Sequence, residues 1–356
     1  MLVYLSVFLI ILLLVLSNKN KTISPYKNLV VPFLLIFAMM ALRVDWGGDY
    51  EAYEEMFPRY HYGSIVDALE TGMIESGFRV LMVLCDSYRT LIVVTSLIIC
   101  IGLFLFFSKL PKEYLVLAFF LLFLDKSMLP GEISGIRNGI AVAVFLIGLL
   151  FLQRGQRVIY LLLLLLAFYF HRSAIFMTIL VLIPQRQIKV NPMIIMGAFL
   201  LYVIIAASMT GSIAQEIDSF VNTTDEFERY EGYAERSLNE QYSVSLFYLP
   251  AVPMLVFIVL AMQTKGLSKT DYFYLNAALI WGILLFFPPI AFKSRFHFYV
   301  DFLLLGGSVV LCQKVPKYKA PYLACLIVFY IADFIRYATS LHYLQHWFHY
   351  HSIIGL

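Results

Sequence analysis

An all-α, polytopic membrane fold is what this sequence predicts, and three observations predict it. Apolar residues make up 61% of the 356 and charged residues 14%, where an ordinary soluble domain is about a quarter charged. Mean hydropathy is +0.83. The apolar residues are gathered in runs of about 14 to 20, suited to helices crossing a hydrocarbon core about 30 Å thick, and they lack the alternating ten-residue pattern of an outer-membrane barrel.

Read between charged and Pro/Gly punctuation, the runs fall near residues 2–16, 28–42, 91–107, 114–127, 136–152, 158–170, 174–184, 193–210, 245–262, 271–287, 297–312 and 320–338. That is about 12 transmembrane or re-entrant helices. The first run lacks a basic leader and a small-residue cleavage site, so it reads as a retained span. The sixth and seventh runs are short, and together they fit a re-entrant hairpin with His171 and Arg172 at its turn.

Alternate connections sort by charge. One set carries Lys19, Lys21, Lys27, Lys109, Lys112, Arg154, Arg157, Arg186, Lys189, Lys265, Lys269, Lys314, Lys317 and Lys319 against only Glu113 and Asp271. By the positive-inside rule that set is cytoplasmic. The net charge of +3 has no nucleic-acid footprint. Two outer segments are long, 43–90 and 211–244, and are expected to contact substrate. Within the first, Gly77 to Tyr88 reads as an amphipathic stretch along the interface. Within the second, Asp225 to Glu240 reads as a surface helix. No repeat or separable soluble domain is evident, so residues 1–356 form a single membrane domain.

On the outer side sit Arg43, Arg137, Arg172, Arg295 and Arg336, where basic residues should be scarce. Ionisable groups at a membrane edge point to a functional site unless local partners explain them. Arg137 opens the fifth run beside Gly135 and Gly139, so a helix N-terminus adds its positive end to the guanidinium, a plausible phosphate cradle; the plain alternative is an arginine snorkelling to lipid headgroups. Arg43, Asp45, Asp49, Tyr50 and Tyr53 place a cation, carboxylates and aromatic faces beside a tight Gly47–Gly48 turn. Such a set suits sugar hydroxyls and pyranose rings, and it equally suits an interfacial aromatic belt.

Glu75, ahead of Ser76 and Gly77, is either a base or a helix cap. His171 is a candidate general base, with Arg172 expected to depress its pKa and keep it neutral; the alternative is a helix-to-helix hydrogen bond. Arg295 follows Pro288–Pro289 with His297 and Tyr299, a turn fit for diphosphate binding or for anchoring. Asp333 and Arg336, one turn apart, read as a local ion pair. His342, His346 and His349 have helical spacing, but their interleaved aromatics read as an interface helix rather than a metal site. Cys85, Cys100, Cys312 and Cys325 lie singly and read as small hydrophobes.

Taken in order, Arg43 with Gly48, Asp49, Tyr50 and Tyr53; Glu75 with Gly77 and Phe78; Ile136, Arg137, Gly139, Ile140 and Ala141; Phe170, His171, Ser173 and Ala174; and Arg295 with Phe296 and Tyr299 resemble the EpsG-like family of bacterial exopolysaccharide and O-antigen polymerases, the Wzy class. The resemblance implies a GT-C-like glycosyltransferase in the bacterial cytoplasmic (inner) membrane, its active site facing the periplasm. Its donor and acceptor would be undecaprenyl-diphosphate-linked oligosaccharides, with no cofactor and no metal, and with inversion at the anomeric carbon. Carried over residue by residue, Arg137 and Arg295 would bind diphosphate with Arg43 and Arg172 assisting. His171 or Asp49 would be the base, with Glu75, Tyr50, Tyr53 and Tyr299 near sugar. A chain-length regulator and a flippase are the partners such a polymerase implies. An outer-face ligase of the O-antigen type would use the same donor. A flippase or other transporter would need charges on both sides of a central cavity.

Overall fold

A computed structural model of the chain describes residues 2–17, 25–70, 72, 74–208, 251–285, 291–339 and 349–353. Each apolar run in these residues becomes a helix close to where its punctuation places it. The elements are α1 (Leu2–Ser17), α2 (Pro25–Ala41), β1 (Arg43–Val44), α3 (Tyr50–His61), α4 (Ile65–Glu70), α5 (Ser76–Leu84), α6 (Tyr88–Phe107), α7 (Leu115–Leu124), α8 (Leu129–Ser134), α9 (Ile136–Gln153) and α10 (Arg157–Phe168). After a 3₁₀ helix (Arg172–Leu182) come α11 (Pro192–Ser208), α12 (Ala251–Met262), α13 (Lys269–Leu285), α14 (Ala291–Lys314), α15 (Pro316–Ala338) and β2 (His351–Ser352). Among the described residues four helices are long and apolar enough to cross a membrane by length and composition: α6, α9, α14 from Arg295, and α15. Others, among them α1, α10 and α12, are apolar but shorter.

The fold is helical with one addition that the sequence did not announce. β1 and β2 pair antiparallel, with Arg43 opposite Ser352 and Val44 opposite His351. The expected interfacial stretch also divides. Its helix stops at Leu84, and Ser87 then caps α6 by accepting the N–H of Thr90 at 3.1 Å, so Tyr88 belongs to the long apolar helix instead. The reason is local: a serine hydroxyl satisfies an orphan donor and starts a new helix. The expected surface helix at 225–240 and the residues His342 and His346 lie outside the described residues.

The chain forms two compact units, Met1–Leu182 with Asp333–Leu356, and Ile183–Ala332. In the first, small residues set the helix spacing. A Cβ at Gly102 of α6 would lie 2.6 Å from the Ala143 backbone of α9, the close approach that small residues allow between apolar helices. Gly139 does the same one level toward the start of α9, against Ile99 and the Glu132 carbonyl. Gly77 donates its N–H to the Tyr169 carbonyl at 2.8 Å, and a Cβ there would meet the same oxygen at 2.7 Å. That contact ties the start of α5 to the end of α10. Trp46 is buried between Tyr4 and Tyr350, while Phe33 meets Phe104, Phe107 and Phe119 at 5.5–5.7 Å.

The pair of short runs at 158–184 resolves into α10 and the 3₁₀ helix, turning at His171. Tyr160 of α10 donates to the Met177 carbonyl at 2.6 Å and fastens the two together. A 3₁₀ helix rises about 2.0 Å per residue, so this run of 11 residues reaches about 22 Å, roughly a third more than an α-helix would.

In the second unit, polar side chains close backbone gaps. Gln187 donates to the Gln263 carbonyl and Gln263 to that of Val190, each at 2.6 Å, while Asn276 donates to the carbonyls of Pro184 and Arg186. Gly306 and Gly307 of α14 seat Tyr274 and Ala278 of α13, and Ser308 pairs with Tyr322 of α15. The four cysteines are free thiols, three of them buried.

Gly102→Leu is expected to cost about 2–3 kcal/mol by overpacking, whereas Gly197→Leu in α11, with nothing within 4 Å of its added Cβ, should be close to neutral. Thermal unfolding of both variants in detergent measures the difference.

Candidate functional site

Residues remote in sequence meet around the first turn of α9. Gly135 precedes this helix with no side-chain cap, leaving the positive end of its dipole to whatever lies beside it. Arg137, the second residue of the helix, donates from Nη1 to Glu75 Oε2 at 2.5 Å and from Nε to the Tyr53 hydroxyl at 3.2 Å. Its guanidinium carbon also stands 5.7 Å from the centre of the Tyr53 ring. Glu75, just before α5, accepts the backbone N–H of Arg172 on its other oxygen at 3.4 Å. The glycine contact at Gly77–Tyr169 is what brings these two segments within reach.

Beside this pair lies His171, buried, with Nδ1 2.6 Å from Ser173 Oγ. Ser173 in turn reaches Asn138 Oδ1, next to Arg137, at 3.4 Å. Burial alone would raise the Glu75 carboxyl, but the charges of Arg137 and His171 hold it below its usual range. Glu75 is therefore a carboxylate at neutral pH, fixed by two donors. Side-chain exposures of 23% for Arg137 and 11% for Glu75 leave the pair open on one side. Arg172 is exposed, so it meets the cluster through its backbone while its side chain reaches outward.

A second group in the same unit surrounds Arg43. This arginine is 1% exposed, and its Nε and Nη1 have no hydrogen-bond partner. Burial pulls its pKa down to about 10, against the opposing effect of Tyr88, Tyr50 and Tyr350, so it stays charged at neutral pH. Arg89 donates from Nη1 to the Arg43 carbonyl at 2.7 Å, and Tyr88 donates to that of Tyr50 at 2.8 Å. Asp49 stands at the start of α3, and its charge acts on the buried Tyr53.

Of the sequence candidates, Tyr53, Glu75, Arg137 and His171 form one cluster, with the Arg172 backbone at its edge. Arg43 and Tyr50 belong to the neighbouring group. Arg295 and Tyr299 belong to the second unit, where Tyr299 is fully buried within α14. Asp333 and Arg336 form the local ion pair their spacing predicts, at 2.6 Å.

Four residues went unread in the sequence. Tyr88 and Arg89 begin α6, and Arg79 is buried in α5 with Nε and Nη1 unpartnered. Glu132 of α8 is wholly buried with neither oxygen hydrogen-bonded, and burial pushes its carboxyl well above the usual range. An acid within the apolar stretch 128–136 was the available signal. Among the described residues no cluster of three or more His, Cys, Asp or Glu is arranged to hold a metal.

The EpsG family model matches residues 26–352. The chain belongs to the EpsG family. No curated protein and no solved structure matches it. EpsG proteins are associated with polysaccharide biosynthesis in membranes and with glycosyltransferase-like polymerases. The match takes in every segment that supplies the Arg137 cluster.

The Arg137–Glu75 pair makes a double-mutant cycle informative. With Arg137→Ala and Glu75→Gln, a coupling of about 1–3 kcal/mol is expected at pH 7. Because the folded Glu75 sits below its ordinary value of 4.5, its contribution is complete above that value and disappears as pH falls through the folded one. Unfolding midpoints at pH 7 and at pH 4 and below measure both.

Proposed function

We propose that this EpsG protein is a polysaccharide polymerase that transfers a growing glycan from undecaprenyl diphosphate to a lipid-linked oligosaccharide repeat unit at the outer face of the cytoplasmic membrane. The observation that carries the reading is the convergence of Tyr53, Glu75, Arg137 and His171 at the uncapped start of α9. Cation, carboxylate and imidazole there suit a reaction that removes one proton and releases one anion.

In this reading His171 is the base. The Glu75 carboxylate is held below its usual range by Arg137, which makes it a weak proton acceptor but a good stabiliser of an imidazolium forming beside it. In the tautomer that carries its proton on Nδ1, that N–H donates to Ser173 Oγ, which donates on to Asn138 Oδ1, and Nε2 is then the basic nitrogen assigned to the acceptor. His171 takes the proton of an acceptor hydroxyl, and that oxygen attacks the anomeric carbon of the donor. The bond to the diphosphate oxygen breaks, and undecaprenyl diphosphate leaves with its electron pair.

One displacement inverts the anomeric centre. Arg137 and Arg172, with the α9 dipole, offset charge on the leaving group, which is already a diphosphate and departs without needing a further acid. Arg43, buried with two donors unpartnered, is assigned an assisting role toward the diphosphate. Arg295 is assigned to diphosphate and Tyr50, Tyr53 and Tyr299 to the sugar side as expectations from the family pattern.

Purified protein supplied with its undecaprenyl diphosphate repeat unit should yield a ladder of products whose new linkages are inverted. His171→Ala should lower the rate about 10²–10⁴-fold, the usual value of general base catalysis, and Arg137→Ala by a comparable factor. A single transfer product would indicate a ligase, and full activity in both variants would sink the mechanism.

A further inference from the structure

The second unit contains a cavity of about 520 Å³ at the junction of α12, α14 and α15, lined by Leu260, Thr264, Lys314, Val315, Lys317 and Tyr318 among others. Its position follows from sequence. α14 ends on Lys314, Val315 makes the turn, and α15 begins at Pro316, so one lysine closes a helix and the next opens another. The turn is tight, with Tyr318 donating its N–H to the Val315 carbonyl at 3.0 Å, and both lysines are thereby set on the same mouth.

Lys317 is held in place: its Nζ lies 4.6 Å from the centre of the Tyr318 ring, which packs against Phe257 at 5.8 Å. The lining has two cations and no acid. Lys265 and Lys269 lie outside this lining, and the acid that follows them, Asp271, already accepts the Ser268 N–H. The first turn of the 23-residue α15 adds a positive dipole end.

Charge and volume together select an anion larger than a bare phosphate. The walls say what else it carries. Leu260, Val315 and Pro316 give one apolar side, and α15 runs on from the cavity as an apolar helix with only 22% of its spanning window buried. Ile327, Val328 and Ile331 are exposed along it. A ligand with an anionic head and a long apolar tail matches both parts, and a basic pocket between helices at the lysine-rich membrane edge is where such a lipid resides. We infer that this cavity binds the phosphate headgroup of an anionic glycerophospholipid, with its acyl chains along α15. The cavity lies in the second unit and uses none of the residues of the Arg137 cluster, so this binding stands independently of the proposed reaction.

The test uses the full-length protein in nanodiscs containing phosphatidylglycerol or phosphatidylcholine, with retained lipid counted by native mass spectrometry. Phosphatidylglycerol should be retained in preference. Replacing both pocket lysines, Lys314→Gln with Lys317→Gln, should weaken retention roughly 10- to 30-fold, from about 1 kcal/mol per lysine near a membrane surface. The comparison variant, Lys265→Gln with Lys269→Gln, removes the same charge outside the cavity and should retain lipid like the parent. Equal loss in both variants would overturn the proposal in favour of diffuse surface charge. Displacement of phosphatidylglycerol by millimolar inorganic phosphate or pyrophosphate would overturn it in favour of a soluble anion. Unchanged thermal midpoints in both variants keep a folding defect from imitating the result.

Discussion

The contact between Arg137 and Glu75 joins parts of the chain that lie far apart in sequence. Glu75 precedes a short amphipathic helix, Arg137 opens a buried apolar one, and 62 residues separate them. Once Gly102 and Gly139 have packed α9 against α6, and Gly77 has docked α5 on the end of α10, the carboxylate and guanidinium face each other. The pair then fixes its neighbours. Tyr53 is held by Arg137 Nε, the Arg172 backbone by Glu75, and His171 sits within the field of both charges. Partial burial makes the pair strong enough to position these groups, and partial exposure leaves it accessible from one side.

Much of this was legible in the sequence, because a membrane restricts what apolar runs can become. With no water in the hydrocarbon core to satisfy backbone groups, each run must be helical, and punctuation by charge, proline and glycine marks its ends. The arginines at the ends of these runs were readable for the same reason, since a cation near lipid calls for an explanation. What was not legible is how those cations divide. Arg137 finds a carboxylate, Arg336 finds Asp333, and Arg43 is enclosed by tyrosines with two donors unpartnered. Pairing across dozens of residues leaves no mark in local spacing.

The surprises have local causes. Ser87 starts a new helix by capping, so Tyr88 and Arg89 belong to α6 and stand beside Arg43. The 3₁₀ geometry of Arg172–Leu182 lengthens a run too short to reach far as an α-helix. Glu132 shows a further limit: in sequence it is one acid in a short loop, but in the fold it is a wholly buried acid whose carbonyl touches the glycine that sets α9. The two units also differ in chemistry. In the first unit arginines gather with a carboxylate, histidine and tyrosine, and in the second lysines gather around a cavity with an apolar wall.

An experimental structure of the protein with its lipid-linked donor and acceptor bound addresses the central claim most directly. The account predicts the diphosphate against Arg137 and Arg172 at the start of α9, with an acceptor hydroxyl within about 2.6–3.2 Å of the His171 ring nitrogen remote from Ser173. Substrates bound away from α9, with the Arg137–Glu75 pair and His171 touching neither, would contradict it.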